Sequence, residues 1–183
     1  MKITQQLSDE HQTILRAINI LKAAAASWKQ YQAGAAEDCR ALLEFFKIFA
    51  DQCHHSKEER VLFLKLVQVG VPVDGGPIGV MLHEHDEGRQ FIRGMEQALD
   101  GVRPNDFELY ANRYAELLQN HIAKEDGILF PKADELLSIE DDEVMSRRFE
   151  AIEAEMGPQT HERFHELLLT LASRYLVKPA KAS

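Results

Sequence analysis

Two ten-residue stretches of this sequence match each other: HHSKEERVLF at residues 54–63 and HIAKEDGILF at residues 121–130. Histidine, lysine, glutamate, leucine and phenylalanine recur at the same places in both, at a constant offset of 67 residues. Side chains four positions apart lie on one face of an α-helix. Each stretch therefore predicts a helix that directs a histidine and a glutamate to the same side, His54 with Glu58 and His121 with Glu125.

A second pair of matching stretches accompanies the first. LSDEH at residues 7–11 matches MLHEH at residues 81–85, at an offset of 74 residues. The sequence therefore indicates two similar helical hairpins. Each hairpin pairs a helix that carries Glu-His with a helix that carries His-x-x-x-Glu.

Apolar residues recur at three- and four-residue steps along nearly the whole chain, which is the period of amphipathic helices. Gly- and Pro-containing breaks fall at residues 70–79 and 101–106. We predict an all-α fold, in which an antiparallel up-down-up-down four-helix bundle occupies residues 1–137 and two additional helices in residues 138–183 pack on it. The predicted helices span about residues 6–31, 37–69, 78–100, 107–137, 140–156 and 159–176, with Pro131 expected to end or kink the fourth.

Composition narrows the class of protein. The chain has 183 residues, and its 30 acidic against 21 basic residues give a formal net charge of −9. Nucleic acids and anionic membranes attract clustered Lys and Arg, so we expect neither as a partner. No apolar run approaches the roughly 20 residues that cross a bilayer. With two cysteines and no apolar leader at the N-terminus, we expect a reducing, cytoplasmic location.

The paired histidines and glutamates continue apolar stripes. In the second helix, His54 and Glu58 lie in line with Phe46, Ala50 and Leu62. The other three bundle helices likewise direct His11, His85, and His121 with Glu125 inward. Unpaired buried polar groups cost about 2–7 kcal/mol each, and carboxylates cost more. We therefore predict a metal site with these six residues as ligands, in which Glu58 and Glu125 bridge two ions of iron, zinc or manganese.

Residues next to the predicted ligands have alternative interpretations. On an ideal helix His55 lies about 100° from His54, so a solvated or interfacial histidine is expected there. The acidic neighbours Glu10, Glu59, Glu84 and Asp126 either orient the histidines or face water.

Two more histidines, His161 and His165, are one turn apart on the sixth predicted helix. Either they complete the metal site from the C-terminal extension, or they are ordinary interface residues. Because His165 leads into an apolar stripe, it is favoured over His161 if only one of them is a ligand.

Together these motifs resemble the hemerythrin-like, HHE cation-binding domain. The resemblance covers about residues 7–137 and rests on the four stretches quoted above, extended to Pro131. It implies a four-helix bundle around a non-haem di-iron centre, with two iron ions joined by an oxo or hydroxo bridge and zinc as a substitute. By resemblance, His11, His54, His85 and His121 are the helix-borne histidine ligands, and Glu58 and Glu125 are the bridging carboxylates.

The sequence departs from the oxygen-carrying members of this family at two positions. They place a further histidine one turn after the third-helix ligand, where this sequence has Arg89. Their last bridging acid lies five residues after its histidine, which would be Asp126, whereas the internal repeat favours Glu125. These departures count against simple oxygen carriage.

Three functions follow as hypotheses. The first is a di-iron protein that binds or senses a small ligand such as O2 or NO, or handles iron. The second is a di-iron redox enzyme acting on O2 or peroxide. The third is a regulatory module whose C-terminal extension responds to the metal. The family's iron–sulfur repair proteins have an N-terminal cysteine-containing segment that we do not find here, so a repair role is not expected.

Overall fold

The computed structural model describes residues 2–157 and 159–176, and this part of the chain is helical, without a strand. The all-α prediction is therefore confirmed. None of the described helices combines the length and apolar character needed to span a bilayer. Pro158 and the end of the predicted extension, residues 177–183, lie outside the described residues. The α-helices are α1 (Lys2–Lys29), α2 (Ala35–Phe45), α3 (Phe63–Gln68), α4 (Pro77–Asp100), α5 (Pro104–Lys124), α6 (Phe130–Leu136), α7 (Ile139–Glu155) and α8 (Thr160–Tyr175).

Three π-helical segments join some of these helices into longer rods. Phe46–His55 and Glu58–Leu62 connect α2 to α3, and Glu125–Leu129 connects α5 to α6. The last two segments begin at the paired glutamates and obey the 67-residue offset of the sequence repeat. Pro131 follows the third segment and does not end the rod, which continues to Leu136. A π-helical turn is wider than an α-helical one and frequently marks a functional site.

The first helix begins earlier than the sequence pattern suggests, at Lys2 instead of residue 6. The carboxylate of Asp142 in α7 accepts hydrogen bonds from the backbone N–H groups of Lys2, at 3.2 Å, and Ile3, at 3.1 Å. These N–H groups have no partner within their own helix. A cap supplied from 140 residues away cannot be seen in the local sequence, which explains the difference.

The four long rods pack side by side. α1 contacts α2 and α5, and α4 contacts the same two helices. Buried apolar side chains form two separate clusters along the rods, one around Phe45, Phe46 and Phe107 and the other around Leu62 and Phe130. The predicted polar positions fall between these two apolar clusters, so the rods enclose a polar layer.

The two C-terminal helices pack on the rods. α7 contacts α1 and the Glu58–Leu62 segment, and α8 contacts α1. α7 starts with the predicted capping pair: Ser138 Oγ accepts from the Asp141 N–H, and Asp141 accepts from the Ser138 N–H, both at 3.1 Å. α8 buries Phe164, whose ring meets that of Phe45 edge-on at 5.4 Å.

Candidate metal centre

Seven buried side chains meet in the polar layer between the two apolar clusters. They form two groups that share one glutamate. Within each group, every residue offers one possible ligand atom, and these atoms lie within 4.8 Å of one another. The first group is His11, His54, Glu58 and Glu125, and the second is His55, Glu58, His85 and His121.

The two glutamates each contact a histidine from both groups. Glu58 places Oε1 3.3 Å from His54 Nε2 and Oε2 3.4 Å from His85 Nε2. Glu125 Oε2 lies 3.2 Å from His11 Nε2 and 3.1 Å from His121 Nε2. This is the placement required of carboxylates that bridge two adjacent ions.

The polar atoms facing this space lack hydrogen bonds. Among the described residues, His11 Nε2 and both carboxylate oxygens of Glu58 and of Glu125 are buried without a hydrogen-bond partner. Two fully buried carboxylates in this condition would be strongly unfavourable. Cations in the space between them would pair with all of these atoms at once. The donor set of imidazole nitrogens and carboxylate oxygens therefore fits a pair of transition-metal ions.

Each of the four predicted histidines is oriented by a second carboxylate at Nδ1. An ionised carboxylate only accepts hydrogen bonds, so the histidine donates from Nδ1, and the Nε2 atom is left to face the interior. Every pair joins two different rods. The pairs are His11 with Asp126 at 2.9 Å, His54 with Glu10 at 2.8 Å, His85 with Glu59 at 2.7 Å, and His121 with Glu84 at 3.0 Å.

These orienting carboxylates are themselves held by donors. Lys57 binds Glu10, and Lys124, its counterpart in the sequence repeat, binds Glu84. Arg89 donates to Glu59 at 2.7 Å, and Ser8 donates to Asp126 at 2.7 Å. The carboxylates that the sequence left as either solvated or orienting thus all orient histidines.

The charges of the two glutamates dominate the electrostatics. Burial alone would raise the pKa of Glu58, but His54 and His85 hold it well below its ordinary value. Burial opposes protonation of His54 and His121 too. Nearby carboxylates, Glu58 with Glu10 for His54 and Glu125 with Glu84 for His121, nevertheless raise both pKa values to about 10. In the metal-free chain, protons on these imidazoles provide the positive charge that metal ions would otherwise supply.

His55 belongs to the second group, although the sequence pattern placed it in solvent. Its ring is 4% exposed and stacks on that of His85 at 3.9 Å. Burial, followed by the proximity of His85, lowers the pKa of His55 to about 3, so this imidazole is neutral. A signal for it was present in the sequence. Glu58 lies four residues from His54 and three from His55, and both spacings lie on one helical face.

The structure does not bring His161 or His165 to this centre. Both are exposed, and His161 meets the ring of Phe49 edge-on at 5.4 Å. The expectation that His165 lies on a buried stripe is wrong. The buried side chains of α8 are Phe164, Leu168, Leu171 and Ala172, so His165 is one position beyond the stripe.

The position of the missing family histidine is also resolved. Arg89 lies there and points away from the cluster, since its guanidinium binds Asp51 at 2.8 Å and Glu59 at 2.7 Å. The fifth imidazole of the centre comes from His55 on a different rod. Of the two candidates for the last bridging acid, Glu125 lies between the groups, and Asp126 orients His11.

Comparison with known proteins agrees with this geometry. The chain is 38% identical over 89 residues to the iron-sulfur cluster repair protein YtfE of Dickeya chrysanthemi, which covers 44% of this chain and 40% of that protein. It is 35% identical over 88 residues to the same-named protein of Cronobacter sakazakii, with the same coverage. The match thus spans about two-fifths of the length of these relatives. No solved structure matches. Residues 2–133 match the family described as Hemerythrin HHE cation binding domain, and the chain belongs to that family.

Proposed function

We propose that this protein holds two iron ions between its four rods and binds a small ligand, such as O2 or NO, at that pair. One observation carries the proposal. The four oxygens of Glu58 and Glu125 are buried without hydrogen bonds and face imidazole nitrogens of both groups. Two bridging dications would neutralise these carboxylates and use every inward-facing nitrogen.

The residues divide naturally between two ions. His11 and His54 would hold one ion, His85 and His121 with His55 the other, and both glutamates would bridge. Seven donors exceed the four that structural zinc takes, which favours iron, although zinc accepts the same nitrogen and oxygen ligands. The similar YtfE proteins are named for iron–sulfur cluster repair, which supports iron in this chain. Iron supplies one-electron redox chemistry and affinity for diatomic ligands.

The chain's own residues prepare this site. The carboxylates at Nδ1 fix each imidazole with its Nε2 lone pair inward, so little reorganisation is needed when a cation binds. The apolar clusters on both sides exclude water from the layer. As the frame we propose the predicted antiparallel up-down-up-down bundle of residues 1–137, with residues 138–183 as an extension, in a cytoplasmic protein without nucleic-acid or membrane partners. The short connections between neighbouring rods support this topology.

Metal analysis tests the proposal. Metal-free protein is loaded with ferrous iron without air, desalted and analysed, and its visible spectrum is followed as air is admitted. We expect two iron ions per chain and a new absorption in the near ultraviolet and visible range. Protein that retains less than one iron and shows no spectral change would contradict the proposal. Peroxide consumption by the loaded protein and by Glu58→Ala separates ligand binding from the redox-enzyme alternative.

A second function, control of the extension by metal, is favoured by one chain of contacts. Glu153 of α7 accepts from Lys57 at 2.6 Å, and Lys57 also binds Glu10, which orients His54. The coupling thus runs through Glu153 and not, as first expected, through His165. Hydrogen exchange of α7 with and without iron tests it. Coupling predicts slower exchange in the loaded protein, and equal protection would reject it.

A further inference from the structure

A small pocket adjoins the candidate metal centre on the side of the second group. Its volume is about 180 Å³, and it lies between the Phe46–His55 segment, α4 and α5. His55 lines this pocket and also belongs to the second metal group, so a single imidazole separates the two. Other residues that line it are Asp51, Gly88, Arg89, Ile92 and Tyr114.

Tyr114 contributes an unpaired donor to the pocket. Its side chain is only 2% exposed, and its hydroxyl makes no hydrogen bond to any described residue. The ring is held by Phe46, edge-on at 5.1 Å, and by the backbone at Gly88, where a Cβ atom would lie 3.4 Å from the ring. Burial raises the pKa of Tyr114, so the hydroxyl stays protonated and can donate. Buried hydroxyls normally have a partner, and this one requires an acceptor from outside the chain.

The charges around the pocket favour an anion. Lys47, Arg89 and Arg93 line it against two carboxylates, Asp51 and Glu96. Arg93 makes no ion pair with another residue in the described part of the chain. The largest groove of the described structure has the opposite character, since four acidic side chains and one lysine line it: Asp9, Glu10, Glu153, Glu162 and Lys2. In a chain of net charge −9, a pocket with more cations than anions is a local exception.

We propose that this pocket binds a small oxyanion of the size of nitrite beside His55, and that the Tyr114 hydroxyl donates a hydrogen bond to one of its oxygens. A volume of about 180 Å³ is below the roughly 300–1,000 Å³ of pockets that take drug-sized ligands. The size therefore selects an ion of a few atoms. This inference rests on the proposed function, because it places the small ligand next to the metal pair.

The experiment compares Tyr114→Phe with Tyr110→Phe. Both substitutions remove one hydroxyl from α5, but Tyr110 packs against Gly94 and does not line the pocket. Nitrite is titrated into isotope-labelled, metal-free protein at constant ionic strength, and the amide resonance of Gly88 is followed by NMR. A hydrogen bond to a charged group contributes about 1.5–3 kcal/mol. We expect Tyr114→Phe to weaken nitrite binding at least tenfold, and Tyr110→Phe to bind as the parent does.

The same titration with the iron-loaded protein completes the test. Iron content is measured first for the parent and for Tyr114→Phe, and we expect it to be equal because the ring remains in place. No shift of the Gly88 resonance, or equal nitrite affinity in Tyr114→Phe and the parent, would overturn the inference. Failure to load iron would overturn the proposed function instead, and the metal-free titration would still decide whether the pocket binds nitrite.

Discussion

Lys57 donates from Nζ to Glu10 Oε1 at 2.5 Å, and the lysine side chain is completely buried. The corresponding lysine of the second hairpin, Lys124, binds Glu84 in the same way but is 36% exposed. α7 accounts for the difference, because Glu153 also binds Lys57 and the ring of Phe149 lies 5.7 Å from its Nζ. The extension thus converts one of two equivalent surface pairs into a buried one.

This asymmetry predicts unequal effects of removing the two lysines. Lys57→Met leaves Glu10 and Glu153 without their shared cation, and loss of one partner of a buried pair costs about 3–5 kcal/mol. Lys124→Met removes a partly exposed pair, which contributes about 0–1 kcal/mol. Urea unfolding of the metal-free variants measures both changes. Equal free energies of unfolding for the two variants would mean that α7 does not desolvate Lys57.

Removing a bridge should reduce the number of ions bound. Glu58→Gln keeps the size of the side chain but removes the charge shared by both groups. We expect one iron or fewer per chain after loading, compared with two for the parent. Glu59→Gln serves as the control, because Glu59 orients His85 without facing the space between the groups. Retention of two tightly bound ions by Glu58→Gln would rule out its bridging role.

Loosening an orienting carboxylate should weaken binding without changing the number of ions. Asp126→Asn reduces the hold on the Nδ1 atom of His11 but leaves its Nε2 atom available. Substitutions of this kind typically lower metal affinity 10–100-fold. Competition with a chromophoric chelator measures the affinity, and Asp9→Asn provides the same charge change on the exposed face of α1. If both variants match the parent, the contact to His11 contributes nothing to binding.

Much of this centre could be predicted because its logic lies along single helices. The spacing of His54 and Glu58, repeated at His121 and Glu125, is a property of the α-helical period. The repeat offset also selected Glu125 over Asp126. These residues lie at the same interior layer because each one continues an apolar stripe that must be buried.

What the sequence could not predict depends on contacts between rods. Glu10 is adjacent to His11 in sequence, yet it orients His54 on another rod. His55 was assigned to solvent from the geometry of an ideal α-helix. The chain is π-helical there, which changes the angle between successive side chains. The cap of α1 by Asp142 is also a long-range contact, so the start of that helix was misplaced.

Metal binding should depend on pH with a definite sign. In the metal-free chain the pKa values of His54 and His121 are raised to about 10, so both imidazoles hold an additional proton at neutral pH. Metal binding must displace these protons. Apparent affinity should therefore rise as the pH increases from 6.5 to 8.5, with release of protons into a weakly buffered solution containing an indicator dye. Affinity independent of pH, with no proton release, would contradict the assignment of these histidines as ligands.

Single histidine substitutions distinguish the structural site from the site expected from the sequence alone. His55 lies within 4.8 Å of the other ligand atoms of its group, whereas His165 is exposed on α8. We expect His55→Ala to lower the affinity for the second iron at least tenfold, while His165→Ala loads two ions with the affinity of the parent. Stepwise loading followed by metal analysis measures each ion separately. Because the His55 imidazole stacks on His85, His55→Phe controls for packing: it should keep the free energy of unfolding of the parent within about 1–3 kcal/mol and lose metal affinity as His55→Ala does. Recovery of parental affinity in His55→Phe would show that the ring acts by packing alone and is not a ligand.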